Sequence, residues 1–166
     1  NWFTPEKALT SKASDPATGL ATDLFQYAAR AESSGDASAS TGTRYSARLG
    51  DTFNGSLSSP SDHDWVKIYL NAGQSYVFTV WGRDGNINGL DDPTLTLRDS
   101  SGNAVRFNDD VSGNSLFPAI TVTPSRSGTY YLDVGSAADS GRYTLQIASN
   151  TYSVNQVVNQ ITKYGW

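Results

Sequence analysis

Apolar and polar residues alternate in short runs over most of residues 44–149. Side chains that alternate in this way share one face of a β-strand, and turn-forming Gly, Asn and Asp residues separate the runs. With the strand-like stretches 45–49, 52–57 and 104–107, the pattern predicts about eight or nine strands. The remaining runs supply these inward-facing rows: Val66, Ile68 and Leu70; Tyr76, Phe78 and Val80; Leu95 and Leu97; Ile120 and Val122; Tyr130, Leu132 and Val134; Tyr143, Leu145 and Ile147.

The connections between these runs indicate the fold class. They are too short for the crossover helix that a parallel strand pair requires, whereas antiparallel strands need only a tight turn. Many strands at such close spacing are typical of two packed sheets. We therefore expect an all-β fold over residues 44–149, an antiparallel β-sandwich of about eight strands with jelly-roll or Greek-key-like connections.

The two ends of the chain differ from the middle. The small polar residues 33–42 predict a flexible linker, because they bury too little area to offset the entropy lost on ordering. We divide the chain into an N-terminal helix and linker (1–43), the sandwich (44–149) and a short helix that begins a following domain (150–166). The two helices are predicted from apolar residues at helical spacing: Leu24, Phe25, Ala28 and Ala29 within 21–31, and Val154, Val157, Val158 and Ile161 within 152–166.

Composition excludes several classes of protein. The 166 residues contain no cysteine, which rules out a disulfide framework, a zinc–thiolate site and a cysteine nucleophile. A net charge of −4 argues against a protein that binds nucleic acid through its phosphates. No apolar run approaches the roughly 20 residues of a membrane span. Abundant Ser, Thr, Gly, Asn and Asp with few lysines are typical of extracellular β-domains, so we expect a secreted or cell-surface protein.

Aspartate dominates the acidic residues, since only Glu6 and Glu32 among the 16 are glutamate. Aspartate prefers turns and caps, and its carboxylate is a common ligand of hard cations such as Ca²⁺. Asp62 and Asp64 stand directly before a predicted strand, where both carboxylates can reach one loop mouth. This arrangement suits Ca²⁺, and it equally suits a turn cap at Asp62 with an ion pair at Asp64.

Two further loops are rich in acidic residues, Asp91–Asp92 and Asn108–Asp109–Asp110. Adjacent like charges are unfavourable unless a cation compensates them or solvent screens them. The alternative is plain turn chemistry, because Asn and Asp favour Asx turns in any context. The pattern favours a Ca²⁺ site where the two loops meet at one edge of the sandwich, and it is not the EF-hand pattern.

His63 is the one histidine of the chain, which limits catalysis. A zinc site of the HExxH type is excluded, and a Ser-His-Asp triad would have to use His63. The turn aspartates also lack the apolar surroundings that raise the pKa of a catalytic carboxyl group. We predict that the chain is not an enzyme and that His63 is an exposed loop residue.

Aromatic residues suggest a binding surface. Trp65 and Tyr69 lie with Lys67 on the face opposite the inward row of their strand, and Trp81 ends the next strand on its outward face. A solvent-facing aromatic surface of this kind binds a polysaccharide or protein side chains. The alternative is that both faces are covered, for instance by the N-terminal helix, so that these residues belong to the core.

Several motifs carry a resemblance to a known family: Leu49–Phe53, Gly55–Leu57, Asp62–Val66, Leu70–Tyr76, Asp92–Asp99, Phe107–Asp110, Ser127–Tyr131 and Gly141–Leu145. In this order, over about residues 45–147, they resemble the bacterial pre-peptidase C-terminal domain. The resemblance implies a non-catalytic β-sandwich for targeting or adhesion, attached to a secreted protease or a large surface protein. It also implies Ca²⁺ binding at the Asp-rich loops, here Asp62, Asp64, Asp91, Asp92, Asn108, Asp109 and Asp110.

Residues 152–166 (YSVNQVVNQITKYGW) are similar to the helix that opens the catalytic domain of serralysin-type metallopeptidases. We therefore consider two functions. The first is a Ca²⁺-stabilised extracellular module that binds a surface protein, peptide or polysaccharide for a larger secreted protease or adhesin. The second is an accessory or processing domain that helps to fold or position a serralysin-like zinc metallopeptidase. In both, the neighbouring domain of the parent chain is a partner.

Overall fold

A computed structural model describes residues 29–82, 88–113 and 115–149 of the chain. Within these residues the chain forms strands and contains no helix. The strands are β1 (Ala29–Ala31), β2 (Thr52–Leu57), β3 (Asp64–Leu70), β4 (Tyr76–Gly82), β5 (Pro93–Arg98), β6 (Ala104–Asn108), β7 (Ala119–Val122), β8 (Gly128–Ser136) and β9 (Gly141–Ser149).

The strands form two sheets that pack face to face. The first has the order β1-β2-β9-β4-β7 and the second has the order β3-β8-β5-β6. Neighbouring strands are antiparallel except for β1 and β2, which are parallel. From β2 onward every connection except β5–β6 crosses from one sheet to the other. The predicted all-β sandwich is therefore confirmed.

The core lies between the sheets and consists of the rows that the alternation predicted. The inward residues of β3, β4 and β9 are almost completely buried, while Tyr130 of β8 is partly buried against the core. Because a strand alternates its side chains between two faces, one buried row per strand fills the space between the sheets. The remaining prediction, a strand over residues 45–49, corresponds to a bridge between Ser46 and Lys67 beside β3.

The N-terminal part differs from the prediction. Ala29–Ala31 form β1 beside β2, so the predicted helix does not include the last three residues of its 21–31 range. The predicted linker, residues 33–42, packs on the sandwich: Ala37 is buried, and the Tyr131 hydroxyl donates a 3.0 Å hydrogen bond to the Thr41 carbonyl. Small side chains bury little area, but here hydrogen bonds to larger residues hold the backbone in place.

The rest of the predicted N-terminal helix and the whole predicted helix of 150–166 lie outside the described residues. The domain boundaries at residues 43 and 149 stay predictions. In the part of the chain that the structure describes, no helix is long and apolar enough to cross a membrane.

Candidate metal centres

Asp64 is the first residue of β3, and its side chain points between the two sheets. It shares the inward-facing row of the strand with Val66 and Ile68, because alternate residues face the same side. Its exposed fraction is 0%. The hydroxyl of Tyr143, on β9 of the opposite sheet, donates a 2.7 Å hydrogen bond to Asp64 Oδ2. The other oxygen, Oδ1, is buried and receives no hydrogen bond from an N–H or O–H donor of another described residue.

A buried carboxylate with an unpartnered oxygen is unfavourable, because the oxygen has lost its hydration without gaining a donor. Burial therefore raises the pKa of Asp64, and together with the negative charges of Glu32 and Asp62 and a side-chain hydrogen bond to Glu32 it brings that pKa to about 8, although the Tyr143 hydrogen bond lowers it. Without a cation, the carboxyl group of Asp64 holds a proton at neutral pH.

Two acidic residues from the N-terminal segment meet Asp64. Glu32, directly after β1, accepts hydrogen bonds from the backbone amides of Ala37 (3.0 Å) and Ser56 (2.9 Å). Asp36 lies on the same segment. One carboxylate oxygen each from Glu32, Asp36 and Asp64 lie within 4.8 Å of one another. Burial raises the pKa of Glu32, and burial followed by the charge of Asp62 raises the pKa of Asp36. We call Glu32, Asp36 and Asp64 site 1.

The spacing of site 1 fits a calcium ion. Calcium binds six to eight oxygens at about 2.3–2.6 Å, so two ligands on opposite sides of the ion are about 5 Å apart. The cationic side chains that form ion pairs in the described residues lie elsewhere, with Arg30 bonded to Asp51 and Arg98 bonded to Asp133. An unpartnered buried oxygen beside two further carboxylates is therefore a suitable donor set for a hard cation.

A second cluster, site 2, consists of Asp92, Asp109 and Asp110. Asp92 precedes β5 and the other two follow β6, and because β5 and β6 are antiparallel neighbours their loops meet at one end. One carboxylate oxygen from each residue lies within 4.8 Å of the others, and Asp109 Oδ1 is buried without a partner among the described residues. Burial, followed by the charges of Asp109, Asp110 and Asp139, raises the pKa of Asp92.

The seven candidate ligands from the sequence thus divide between two places. Asp64 lies in site 1 and Asp92, Asp109 and Asp110 form site 2. The others make different contacts. Asp62 accepts hydrogen bonds from the amide and hydroxyl of Ser58, the Asp91 amide donates to Asp139, and Asn108 Oδ1 accepts from the Ala119 amide.

Sequence reasoning missed Glu32 and Asp36. Their segment consists of small polar residues that predicted a linker, and the pairing of β1 with β2 that carries them to Asp64 has no local signal. The one available cue was that Glu32 is one of only two glutamates in the chain.

The three aromatic residues do not form one surface. Trp65 and Tyr69 lie on the outer face of the four-stranded sheet, whereas Trp81 lies on β4 in the other sheet. Trp65 is mostly covered, because the Arg98 guanidinium carbon lies 4.6 Å from its ring centroid and the Tyr131 ring packs at 5.8 Å. Tyr69 has an exposed fraction of 62%.

His63 takes part in a polar network centred on the buried Asp133. Its Nδ1 lies 2.7 Å from Oδ1 of Asp133, whose exposed fraction is 1%. Arg98 donates to the other oxygen of Asp133 at 2.8 Å and also donates from Nη1 to the Gly102 carbonyl. His63 lies in the loop before β3 with 43% of its side chain exposed, as predicted, and its ring is also held against the sheet by Asp133.

Comparison with known proteins finds one matching family model and several similar solved structures. Residues 62–136 match the family model described as the bacterial pre-peptidase C-terminal domain. No curated protein sequence matches the chain. Solved structures that resemble it include the pre-peptidase C-terminal domain of a collagenase from Bacillus anthracis, with 21% identity, a TM-score of 0.46, and coverage of 62% of this chain and 92% of that one.

Two other solved structures have similar TM-scores. A periplasmic inhibitor of g-type lysozyme from Aeromonas hydrophila is 13% identical with a TM-score of 0.44, and the alignment covers 74% of this chain and 100% of that one. A surface-associated copper-binding protein from Methylomicrobium album is 10% identical with a TM-score of 0.46, covering 63% and 97%.

Proposed function

We propose that this chain, in which residues 62–136 match the family model of the bacterial pre-peptidase C-terminal domain, is a non-catalytic, calcium-binding and ligand-binding module of a larger secreted or cell-surface protein. Its role is to bind a surface protein, peptide or polysaccharide for that larger protein, a protease or an adhesin. Calcium stabilises the module and does no chemistry.

Asp64 carries the calcium proposal. Its side chain is completely buried, one of its oxygens receives no hydrogen bond from an N–H or O–H donor of another described residue, and one oxygen of each of two further carboxylates lies within 4.8 Å of it. A structural ion pair would satisfy this oxygen with an Arg or Lys, yet the described residues bring none to it. Calcium supplies the missing positive charge and accepts several carboxylates at once.

At each of the two sites, a bound metal ion would connect two segments that are separate in the sequence. Site 1 joins the segment after β1, which belongs to the five-stranded sheet, to the start of β3 in the other sheet. Site 2 joins the loop before β5 to the loop after β6. In a chain without cysteine, metal ions at these positions provide the constraint that disulfides provide in other extracellular domains.

Tyr69 supports the ligand-binding part of the proposal. It is exposed and lies two residues from the exposed Lys67 on the outer face of the four-stranded sheet. Trp65 lies on the same face and packs against Arg98 and Tyr131. Trp81, on the other sheet, offers a separate aromatic contact.

Calorimetric titration of chelator-treated protein with Ca²⁺ tests the calcium proposal. We expect binding heat and a rise in the free energy of unfolding of about 2.7 kcal/mol at a calcium concentration one hundred times Kd. Asp64→Asn and Asp109→Asn each remove one site, so the stoichiometry distinguishes site 1 from site 2.

Asp99→Asn is the matched control. It removes the same charge from the turn at the other end of β5, and its amide oxygen can still accept the hydrogen bonds from Ser101 and Asn103. The control should leave calcium binding unchanged. No heat and no change in melting temperature with wild-type protein would end the proposal.

A further inference from the structure

The outer face of the five-stranded sheet carries a pocket beside the end of β1. Its volume is about 570 Å³, a size typical of sites for small ligands. The pocket is lined by outward-facing residues of β1, β2 and β9 and by the residue that follows β1: Ala31, Asn54, Ser56, Arg142, Thr144 and Glu32. It therefore opens on the face of the sheet and not between the two sheets.

The pocket is polar, and its charges balance. The Thr144 hydroxyl donates a 2.7 Å hydrogen bond to Asn54 Oδ1, which leaves the amide N–H donors of Asn54 for another partner. The ion pairs among the described residues do not include Arg142. Its positive charge is opposed by that of Glu32, whose two oxygens already accept backbone amides. A ligand that suits this pocket is rich in hydrogen-bonding groups and carries no net charge.

Trp81 lies in the same row of the sheet as the pocket. Thr144 pairs with Asn54 on one side and with Trp81 on the other, and paired residues of neighbouring strands point to the same face. Neighbouring strands are about 4.8 Å apart, so roughly 10 Å separate Asn54 from Trp81 across the sheet. The Trp81 side chain is partly exposed. An aromatic surface thus lies at a distance from the pocket that an oligosaccharide can span and a single sugar cannot.

The rest of this face is uncharged. Among the outward-facing residues of β2, β4, β7 and β9, Arg142 is the one charged side chain. The outward residues beyond the pocket and Trp81 are small, β-branched or amide-bearing: Thr52, Val77, Thr79, Ala119, Thr121, Gln146 and Ala148. A neutral chain of sugars can lie on such a surface without desolvating charged groups. An anionic chain would meet one arginine on a protein of net charge −4.

The outer face of the four-stranded sheet is less suitable for a neutral sugar chain. Its exposed Tyr69 stands beside the charged Lys67, two residues away on β3. The indole of Trp65 on the same face is mostly covered, and the Tyr131 hydroxyl bonds the Thr41 carbonyl of the segment that lies against this sheet. The aromatic ring of the five-stranded sheet, by contrast, adjoins a polar pocket.

We propose that the outer face of the five-stranded sheet binds a neutral polysaccharide. One sugar ring packs its C–H groups on the indole of Trp81. A neighbouring unit of the same chain enters the pocket, where Asn54 and Arg142 donate hydrogen bonds to its oxygens. The inference rests on the proposed ligand-binding function, and it names the class of ligand and the sheet face that binds it.

Native electrophoresis of the full chain in gels that contain a soluble polysaccharide tests the proposal. The neutral probes are a β-glucan, a galactomannan, a xylan and a dextran, and the anionic probe is alginate. At least one neutral polysaccharide should slow the chain, and alginate should not. The change of mobility with polysaccharide concentration gives Kd. Trp81→Ala and Asn54→Ala should each weaken binding by about tenfold or more, whereas Trp81→Phe keeps an aromatic ring and should lose less than Trp81→Ala.

Tyr69→Ala is the matched control, because it removes an exposed aromatic ring from the other sheet. This variant should bind the polysaccharide like wild type, and circular dichroism confirms that each variant folds. The proposal is overturned if no neutral polysaccharide slows the chain, if only alginate does, or if Trp81→Ala and Asn54→Ala bind like wild type. A loss of binding in Tyr69→Ala alone would overturn this site and leave the ligand-binding function standing. Calcium binding is measured separately by calorimetric titration, so the two proposals can fail independently.

Discussion

The Tyr143 hydroxyl donates a 2.7 Å hydrogen bond to Asp64 across the interior of the sandwich. The two residues belong to different sheets, so this bond joins the sheets at the end where site 1 lies. It satisfies one oxygen of a fully buried carboxyl group and leaves the other for a cation or a proton. From this relationship we predict that the stability of the module depends on calcium and on pH.

Tyr143→Phe removes this bond and leaves both Asp64 oxygens without a donor. We expect the free energy of unfolding to fall by about 1–3 kcal/mol without calcium, because a buried carboxyl oxygen is left without its donor. Urea unfolding followed by circular dichroism measures the change. Tyr130→Phe is the control, because its hydroxyl makes an exposed 3.2 Å bond to the Arg126 carbonyl. Equal losses in the two variants would contradict this role of Tyr143.

The raised pKa of Asp64 predicts a pH dependence with a definite sign. In metal-free protein the folded state keeps the Asp64 proton up to about pH 8, whereas the unfolded chain releases it near the ordinary value of 3.8. Rising pH therefore favours unfolding through this group, by at most about 1.4 kcal/mol per pH unit. The stability that the Asp64 proton contributes is fully present below the pKa of the unfolded state. It is lost as the pH rises through the pKa of the folded state.

Calcium should remove this dependence, because it replaces the proton on Asp64. Urea unfolding at several pH values between about 5 and 8, with calcium and with a chelator, measures both slopes. Asp64→Asn carries no proton to lose, so its metal-free stability should vary less with pH and exceed that of wild type at the highest pH. If the unfolding free energy of metal-free protein changes with pH equally in wild type and Asp64→Asn, the pH dependence does not come from Asp64.

Local patterns predicted the sheets and most of site 2. Asp92 and Asp109 lie on loops of adjacent antiparallel strands, so their meeting follows from the hairpin alone. Glu32 and Asp64 meet through the parallel pairing of β1 with β2 and the packing of two sheets, which no short-range pattern encodes. Alternation likewise placed Trp65 and Tyr69 on one face but did not predict that Arg98 covers the first and not the second.

Gly55 is a test of the packing around site 1. It lies opposite Tyr143 in the β2–β9 ladder, and a Cβ atom at this position would clash with the Tyr143 hydroxyl oxygen. Gly55→Ala should displace the tyrosine, lower the free energy of unfolding by about 1–3 kcal/mol and weaken calcium binding. Gly128→Ala is the control, because nothing lies within 4 Å of its added Cβ atom. If Gly55→Ala binds calcium with unaltered affinity, the position of Tyr143 does not affect site 1.

The Arg98–Asp133 pair is predicted to be structural. Asp133 is almost completely buried, and Arg98 provides the full positive charge that faces it, so Arg98→Met leaves a buried carboxylate with only the His63 contact. We expect Arg98→Met to lower the free energy of unfolding by about 3 kcal/mol. The control is Arg106→Met, which should change it by less than about 0.5 kcal/mol, because Arg106 is exposed and forms no ion pair among the described residues. Adding Asp133→Asn to Arg98→Met removes the unpaired charge and should recover part of the loss. Urea unfolding of the single and double variants measures the coupling, and additive losses would show that the pair does not act as a unit.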